Sequence, residues 1–178
     1  MLELKSIMRK LLSLFSKRTK VEIFPATAGR LCLHNQPVKG LQIRRGFYHV
    51  SVAKEGVWEQ TTTDINGRFY FSEHCIQSVL PAHQLDNAIT HQIIEVADNR
   101  FIEYHDRYLW SAKSIGRSHI SHFQQRLGML DGDLNQQQQR HNIIGDDGQI
   151  LVVDSLCHWP MFTIQEANQQ RANAVVQV

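Results

Sequence analysis

No apolar run in the chain approaches the ~18–20 residues that a membrane-spanning helix requires. No secretory leader is expected either. The opening stretch, Met1 to Lys20, has its leucines broken by Ser13 and followed at once by Lys17 and Arg18, and it offers no Ala-x-Ala cleavage site. These absences predict a cytoplasmic protein. Cysteine is scarce: Cys32, Cys75 and Cys157 lie far apart and form neither a disulfide framework nor a Cys-x-x-Cys site, which predicts reduced thiols. Gly-x-Gly-x-x-Gly, P-loop, Gly-x-Ser-x-Gly and His-Glu-x-x-His motifs are all absent. Gly145 to Gly148 looks like part of a calcium loop but lacks the glutamate at its twelfth place. No period of about 20–50 residues repeats along the chain.

Net charge is also low, +2 over 178 residues, and unevenly placed. Residues 1–20 hold six lysines and arginines against Glu3 alone, 6 − 1 = +5, leaving 2 − 5 = −3 for the rest. A slightly acidic body cannot neutralise a run of phosphates, so nucleic acid is not an expected partner.

What the chain does have is turn chemistry between strand-like runs. In Thr61 to Phe71, TTTDINGRFYF, Asp64 can bond the backbone two residues on and Gly67 can take a positive φ. This predicts a tight reversal into a strand at Arg68–Phe71. Upstream, Leu31 to Ile43 predicts a hairpin punctuated by Asn35, Pro37 and Gly40, with strands at Ala28–His34 and Val38–Arg45. Further strands are expected at Phe47–Val52 and Val57–Thr63 around a turn at Ala53–Gly56. Others are expected at Thr90–Val96 and at Phe101–Trp110 beyond an Asp98–Asn99 turn. Ser78–Asn87 reads as a loop or short helical excursion, and His119–Leu127 as a helix. Ile143–Leu156 reads as a last β unit turning at Asp146, Asp147 and Gly148, with Ile150–Val153 buried. Leu4, Ile7, Met8, Leu11, Leu12 and Phe15 recur at helical spacing, so residues 2–16 predict a basic amphipathic helix. Its apolar face would pack on the body, on a partner or on an anionic membrane surface.

The segment Ala28–Phe71 resembles the carboxypeptidase regulatory-like, or transthyretin-like, β-sandwich modules. Their hairpin motif G-x-PV-x-GA appears here as Asn35-Gln36-Pro37-Val38-Lys39-Gly40-Leu41. Their T-D-x-x-G-x-F-x-F motif is complete as Thr63-Asp64-Ile65-Asn66-Gly67-Arg68-Phe69-Tyr70-Phe71. The whole chain also resembles a bacterial family of uncharacterised-domain proteins with a short basic arm before such a module. The resemblance implies an antiparallel sandwich and brings no active-site motif. Such modules accompany enzymes, receptors and adhesins alike, so it leaves function open.

Candidate chemistry is thin. His74, Cys75 and His83 lie close in sequence, but neighbours on a strand point to opposite faces. His119 and His122 can share a helix face that His141 could approach, but the pair lacks the glutamate of a zincin and metal is not expected there. Cys157 beside His158 diverges for the same reason as His74 and Cys75. Asp98, Asp106, Asp131, Asp133, Asp146, Asp147 and Asp154 mostly sit where turns explain them. Aromatic residues carry more weight. Phe101, Tyr104, Arg107, Tyr108 and Trp110 crowd one segment, and Trp159 and Phe162 make a second patch. Tyr, Trp and Arg are the side chains that anchor protein interfaces, although packing in the core would also account for them.

The expectation is therefore a mainly β protein, an antiparallel sandwich with Greek-key or meander connections over residues 22–160. A basic arm, 1–20, precedes it; a helical or loop insertion falls near 117–140; a polar tail, 161–178, follows. The expected function is a non-catalytic cytoplasmic module that binds another protein and uses no cofactor, with a bacterial immunity or accessory protein directed at a secreted toxin as the specific form. The alternatives are a hydrolase using His, Asp and Cys groups, and a structural protein tethered weakly to a membrane surface through residues 2–16.

Overall fold

A computed structural model describes residues 18–49, 53–105, 107–117, 121–144, 150–160 and 162. The amphipathic segment 2–16, the turn containing Gly148 and the tail beyond 162 lie outside these. The chain is mainly β. Its strands are β1 (Thr19–Phe24), β2 (Thr27–Leu33), β3 (Gln36–Pro37), β4 (Gln42–His49), β5 (Ala53–Thr62), β6 (Arg68–Phe71) and β7 (His74–Ser78). After helix α1 (Ala82–Leu85) come β8 (Ile89–Val96), a 3₁₀ turn (Asn99–Tyr104) and β9 (Tyr108–Ile115). Helix α2 (Ser121–Leu127), β10 (Leu130–Asp133), β11 (Gln139–Ile144) and β12 (Ile150–Ser155) follow.

These strands form three sheets. One has six strands in the order β11-β12-β9-β8-β4-β5, and β1 pairs with β7 in a second. In the third, β2 takes β10 on one edge, while the other edge is shared by β6 and β3. Every pair among the described residues is antiparallel except β2 with β10.

The Asp64 turn behaves as its residues require. Asp64 Oδ1 accepts the backbone N–H groups of Asn66 and Arg68, each at 2.8 Å, and Gly67 sits at φ +73°. The strands it joins, β5 and β6, belong to different sheets, so the turn carries the chain from one layer of strands to another. The upstream hairpin differs from expectation. Its turn is the pair His34 and Asn35, at φ 52° and 65°, in the two-residue form that matches strand twist. Pro37 lies in β3 and needs no N–H there, and Gly40 takes φ +66° as the chain leaves. The expected return strand at Val38–Arg45 begins only at Gln42 and pairs with β5 and β8 in the six-stranded sheet.

Three more expectations are corrected. Residues 53–56 are strand, beginning with Ala53, which pairs with His49. Phe101–His105 is not strand. Asp98 caps a 3₁₀ turn by accepting the Arg100 N–H, and β9 begins only at Tyr108, which pairs with Glu95 of β8. In β12 only alternate residues are buried, so Val153 is interior while Ile150 and Val152 are exposed.

The core draws on all three sheets, and two buried polar groups tie them together. Gln92 of β8 donates to the Ile23 carbonyl of β1 and accepts the Trp110 indole N–H at 3.1 Å. The Arg45 guanidinium, fully buried, donates to Glu59, to the Ser72 carbonyl at 2.7 Å and to Thr27 Oγ1 at 3.2 Å. It lies 4.7 and 4.6 Å from the ring centroids of Phe24 and Phe71. Burial of an arginine is tolerated because every side of the group has a partner, and loss of any one partner is costly.

Candidate functional site

Alternation along β4 sends Ile43, Arg45, Phe47 and His49 inward and Gln42, Arg44 and Tyr48 outward. Cross-strand register then fixes the rest of the outward face. Gly46 stands opposite Trp58 and Ile93, Tyr48 opposite His91, His91 opposite Lys113, and Ile89 opposite Ile115. On β12 the outward residues are Ile150, Val152 and Asp154, next to Arg140 of β11. The six-stranded sheet therefore has one face on the core and one that stays open. Trp58 is 36% and Tyr48 37% exposed, and Ile89, Ile115, Ile150 and Val152 are exposed with them.

Trp58 is held in place without being buried. Gly46 has no Cβ, and one placed there would lie 2.3 Å from the indole, so the ring rests on bare backbone. The Arg44 guanidinium stacks 4.6 Å from the Trp58 ring and bonds Glu95 at 2.6 Å. Tyr48 meets Trp58 edge to face with centroids 6.3 Å apart, and its ring lies the same distance from His91. Burial and the neighbouring Lys113 both push the His91 imidazole below its usual pKa. Two shallow grooves flank His91. Tyr48, Lys54 and Ile89 line one, and Ser111, Lys113, Arg140, Ile150 and Val152 line the other. A preordered aromatic–cation group beside aliphatic side chains suits the recognition of another surface.

Sequence reasoning missed Trp58, Tyr48 and Arg44. A glycine inside a strand pattern, Gly46, next to an aromatic run was the available signal, since it marks close approach to the backbone. The aromatic residues it did single out serve the interior. Trp110 is fully buried against Phe123, with centroids 5.0 Å apart. Trp159 is also buried and donates to the Met129 carbonyl at 2.8 Å. Neither presents a ring to solvent, which corrects their place among the interface candidates. Phe101 and Tyr104, half-buried, pack the 3₁₀ turn onto the core. Arg107 stacks 5.1 Å from Tyr104 and donates to the carbonyls of Leu134 and Gln136. Tyr108 starts β9, its N–H bonded to Gln138, and Phe162 packs by Arg126. The turn residues Pro37, Gly40, Asp64 and Gly67 shape the crossings between sheets.

The titratable groups are dispersed. Among the described residues no group of three or more His, Cys, Asp and Glu side chains is placed to hold a metal ion. His74 of β7 faces Phe47 and Glu59, while Cys75 lies by Lys20. Burial pushes the Cys157 thiol up to about 12, far from an activated nucleophile. One polar cleft, on the third sheet, brings together Arg30, Cys32, Asp131, Asp133 and His158. The Asp133 carboxylate is already committed to the backbone N–H groups of His34, Asn35 and Asn135. No helix among the described residues is long and apolar enough to cross a membrane.

The chain belongs to the family described as Domain of unknown function (DUF6795), which matches residues 27–137. That span includes Arg44, Tyr48, Trp58, His91 and Lys113 of the open face. No curated protein and no solved structure matches the chain.

Proposed function

Starting from that family membership, we propose that the chain is a non-catalytic protein-binding module whose contact surface is the open face of the six-stranded sheet. The observation that carries this reading is Trp58, laid on Gly46 and braced by Arg44 and Tyr48 at the surface. Holding a large aromatic ring in a fixed exposed position reduces the entropy lost on binding. In this reading the sheets form a sandwich of the transthyretin-like, Greek-key kind and the protein works in the cytoplasm. Its specific role is that of an immunity or accessory protein for a toxin.

The test is complex formation between the full-length chain and the protein encoded immediately upstream, measured by calorimetry and size exclusion. The wild-type chain should form a stable complex. Trp58→Ala should weaken it at least tenfold, about 1.4 kcal/mol or more, while leaving the melting midpoint within a few degrees. Wild-type affinity in Trp58→Ala and Tyr48→Ala would overturn the assignment of the face. Absence of any complex would remove the immunity role.

A hydrolase remains the second reading, favoured by the cleft that gathers Cys32, Asp131 and His158. Its cysteine would have to be reactive. Rapid, stoichiometric alkylation of Cys32 in the native protein, slowed by His158→Ala, would support it over the binding module.

A further inference from the structure

We infer that the open face takes an acidic segment of its protein partner, with the partner's carboxylates seated in the groove between β9 and β12 and its apolar side chains on Ile115, Ile150 and Val152. This deepens the binding-module reading above and rests on it. Its ground is an imbalance of charge on a face of mixed aliphatic, aromatic and polar side chains. The face carries four cations, Arg44, Lys54, Lys113 and Arg140, against the carboxylates Glu95 and Asp154. Both carboxylates are taken, Glu95 by Arg44 and Asp154 by Arg140 at 2.9 Å. Lys54 and Lys113 have no ion-pair partner among the described residues. Lys113 stands directly across from His91, whose Nε2 lies 3.4 Å from Ser111 Oγ, and all three side chains line the groove. A carboxylate placed there would meet the Lys113 ammonium and the Ser111 hydroxyl, beside an Arg140 guanidinium already paired with Asp154 at the groove wall, among aliphatic neighbours.

The same charge argues against other occupants. Residues 1–20 carry +5, so the chain's own basic arm would be repelled by this face. A nucleic acid would need a longer line of cations than two unpaired lysines provide.

The experiment uses the full-length chain, isotope-labelled for amide chemical-shift mapping, titrated with twelve-residue synthetic peptides alternating Glu–Val, Gln–Val or Lys–Val. The Glu–Val peptide should shift the amides of His91, Lys113 and Ile115. Its affinity should fall at least threefold on Lys113→Glu, and likewise between ~50 and ~300 mM salt, because exposed charges are screened within a few ångströms at the higher value. Equal binding of Gln–Val at the same amides would overturn the acidic partner and leave the binding face standing. If no peptide shifts that face, the inference falls, and the face is then judged by the Trp58→Ala complex experiment alone. Three further results would also overturn it: preferred binding of a dT12 oligonucleotide, shifts at the open face on deleting residues 2–16, and a concentration-dependent dimer that shifts the same amides.

Discussion

At Gly67 two constraints coincide. The backbone holds φ +73°, and a Cβ would come 2.3 Å from the Leu31 carbonyl oxygen. That carbonyl also accepts the Val38 N–H at 3.0 Å, and the Leu31 N–H bonds back to the Gly67 carbonyl, so neither partner can retreat cheaply. Gly67→Val should therefore cost about 3 kcal/mol, through strained φ and backbone collision together. A denaturant melt checks this, and an unchanged midpoint would refute the account of the turn. The TDxxGxFxF pattern made this residue legible in advance, because an aspartate three residues before a glycine has one common use in a chain reversal. Nothing comparable announced Arg45. Arginine in an alternating strand is read as solvent-facing. Its burial depends on Phe24, Thr27, Glu59 and the adjacent Phe71 and Ser72 arriving from four other places in the chain.

Among elements, the informative case is the pair β4 and β5. The Gly46–Trp58 contact predicts that Gly46→Ala lifts the indole off the sheet. The expected outcome is a red shift of Trp58 emission, read in a protein where Trp110 and Trp159 are buried, with a loss of about 1–3 kcal/mol in a denaturant melt from overpacking. An emission spectrum identical to wild type would mean the ring does not rest on Gly46. The 3₁₀ turn at Asn99–Tyr104 shows why another element was misread. Phe101 to Trp110 has strand composition, yet Asp98 accepts the N–H of Arg100 at 3.0 Å, and the Arg100 guanidinium closes on Asp98 and on the Gly40 carbonyl. Local side-chain bonds of this kind compete with the sheet ladder and win where the chain must turn.

The molecule as a whole should lose stability in acid. Burial lowers the pKa of His49, of His91 with help from Lys113, and of His141 with help from His158 and Arg126. His141 Nε2 has no hydrogen-bond partner among the described residues, so a proton there gains nothing locally. Because the folded pKa lies below the unfolded value, the unfolded chain binds protons first. The stability these histidines contribute is complete above pH ~6.5 and is lost as pH falls through that value toward the folded pKa. Each proton is worth at most about 1.4 kcal/mol per pH unit. Asp98, lowered by its bonds to Arg100, adds a second loss below pH ~4 by the same sign. Thermal melts should be flat from pH 7 to 8 and fall between pH 6.5 and 5. A midpoint that rises on acidification would refute the assignment.

The amino-acid sequence by itself determined what depends on near neighbours: some of the strands, such as Arg68–Phe71 and Ile89–Val96, from their β-rich runs, the Asp64–Gly67 reversal from its two key residues, and the short helix at 121–127 from its spacing. Tertiary structure alone decided which strands share a sheet. β4 leaves the hairpin it was expected to complete and pairs with β5 and β8, and β2 instead takes β10 from about a hundred residues further on. Those choices settle which face of β4 is buried, and with it whether Trp58 and Tyr48 are core or contact surface. Alternation tells two faces apart but not which one meets water, since that depends on what packs across the sheet from distant parts of the chain.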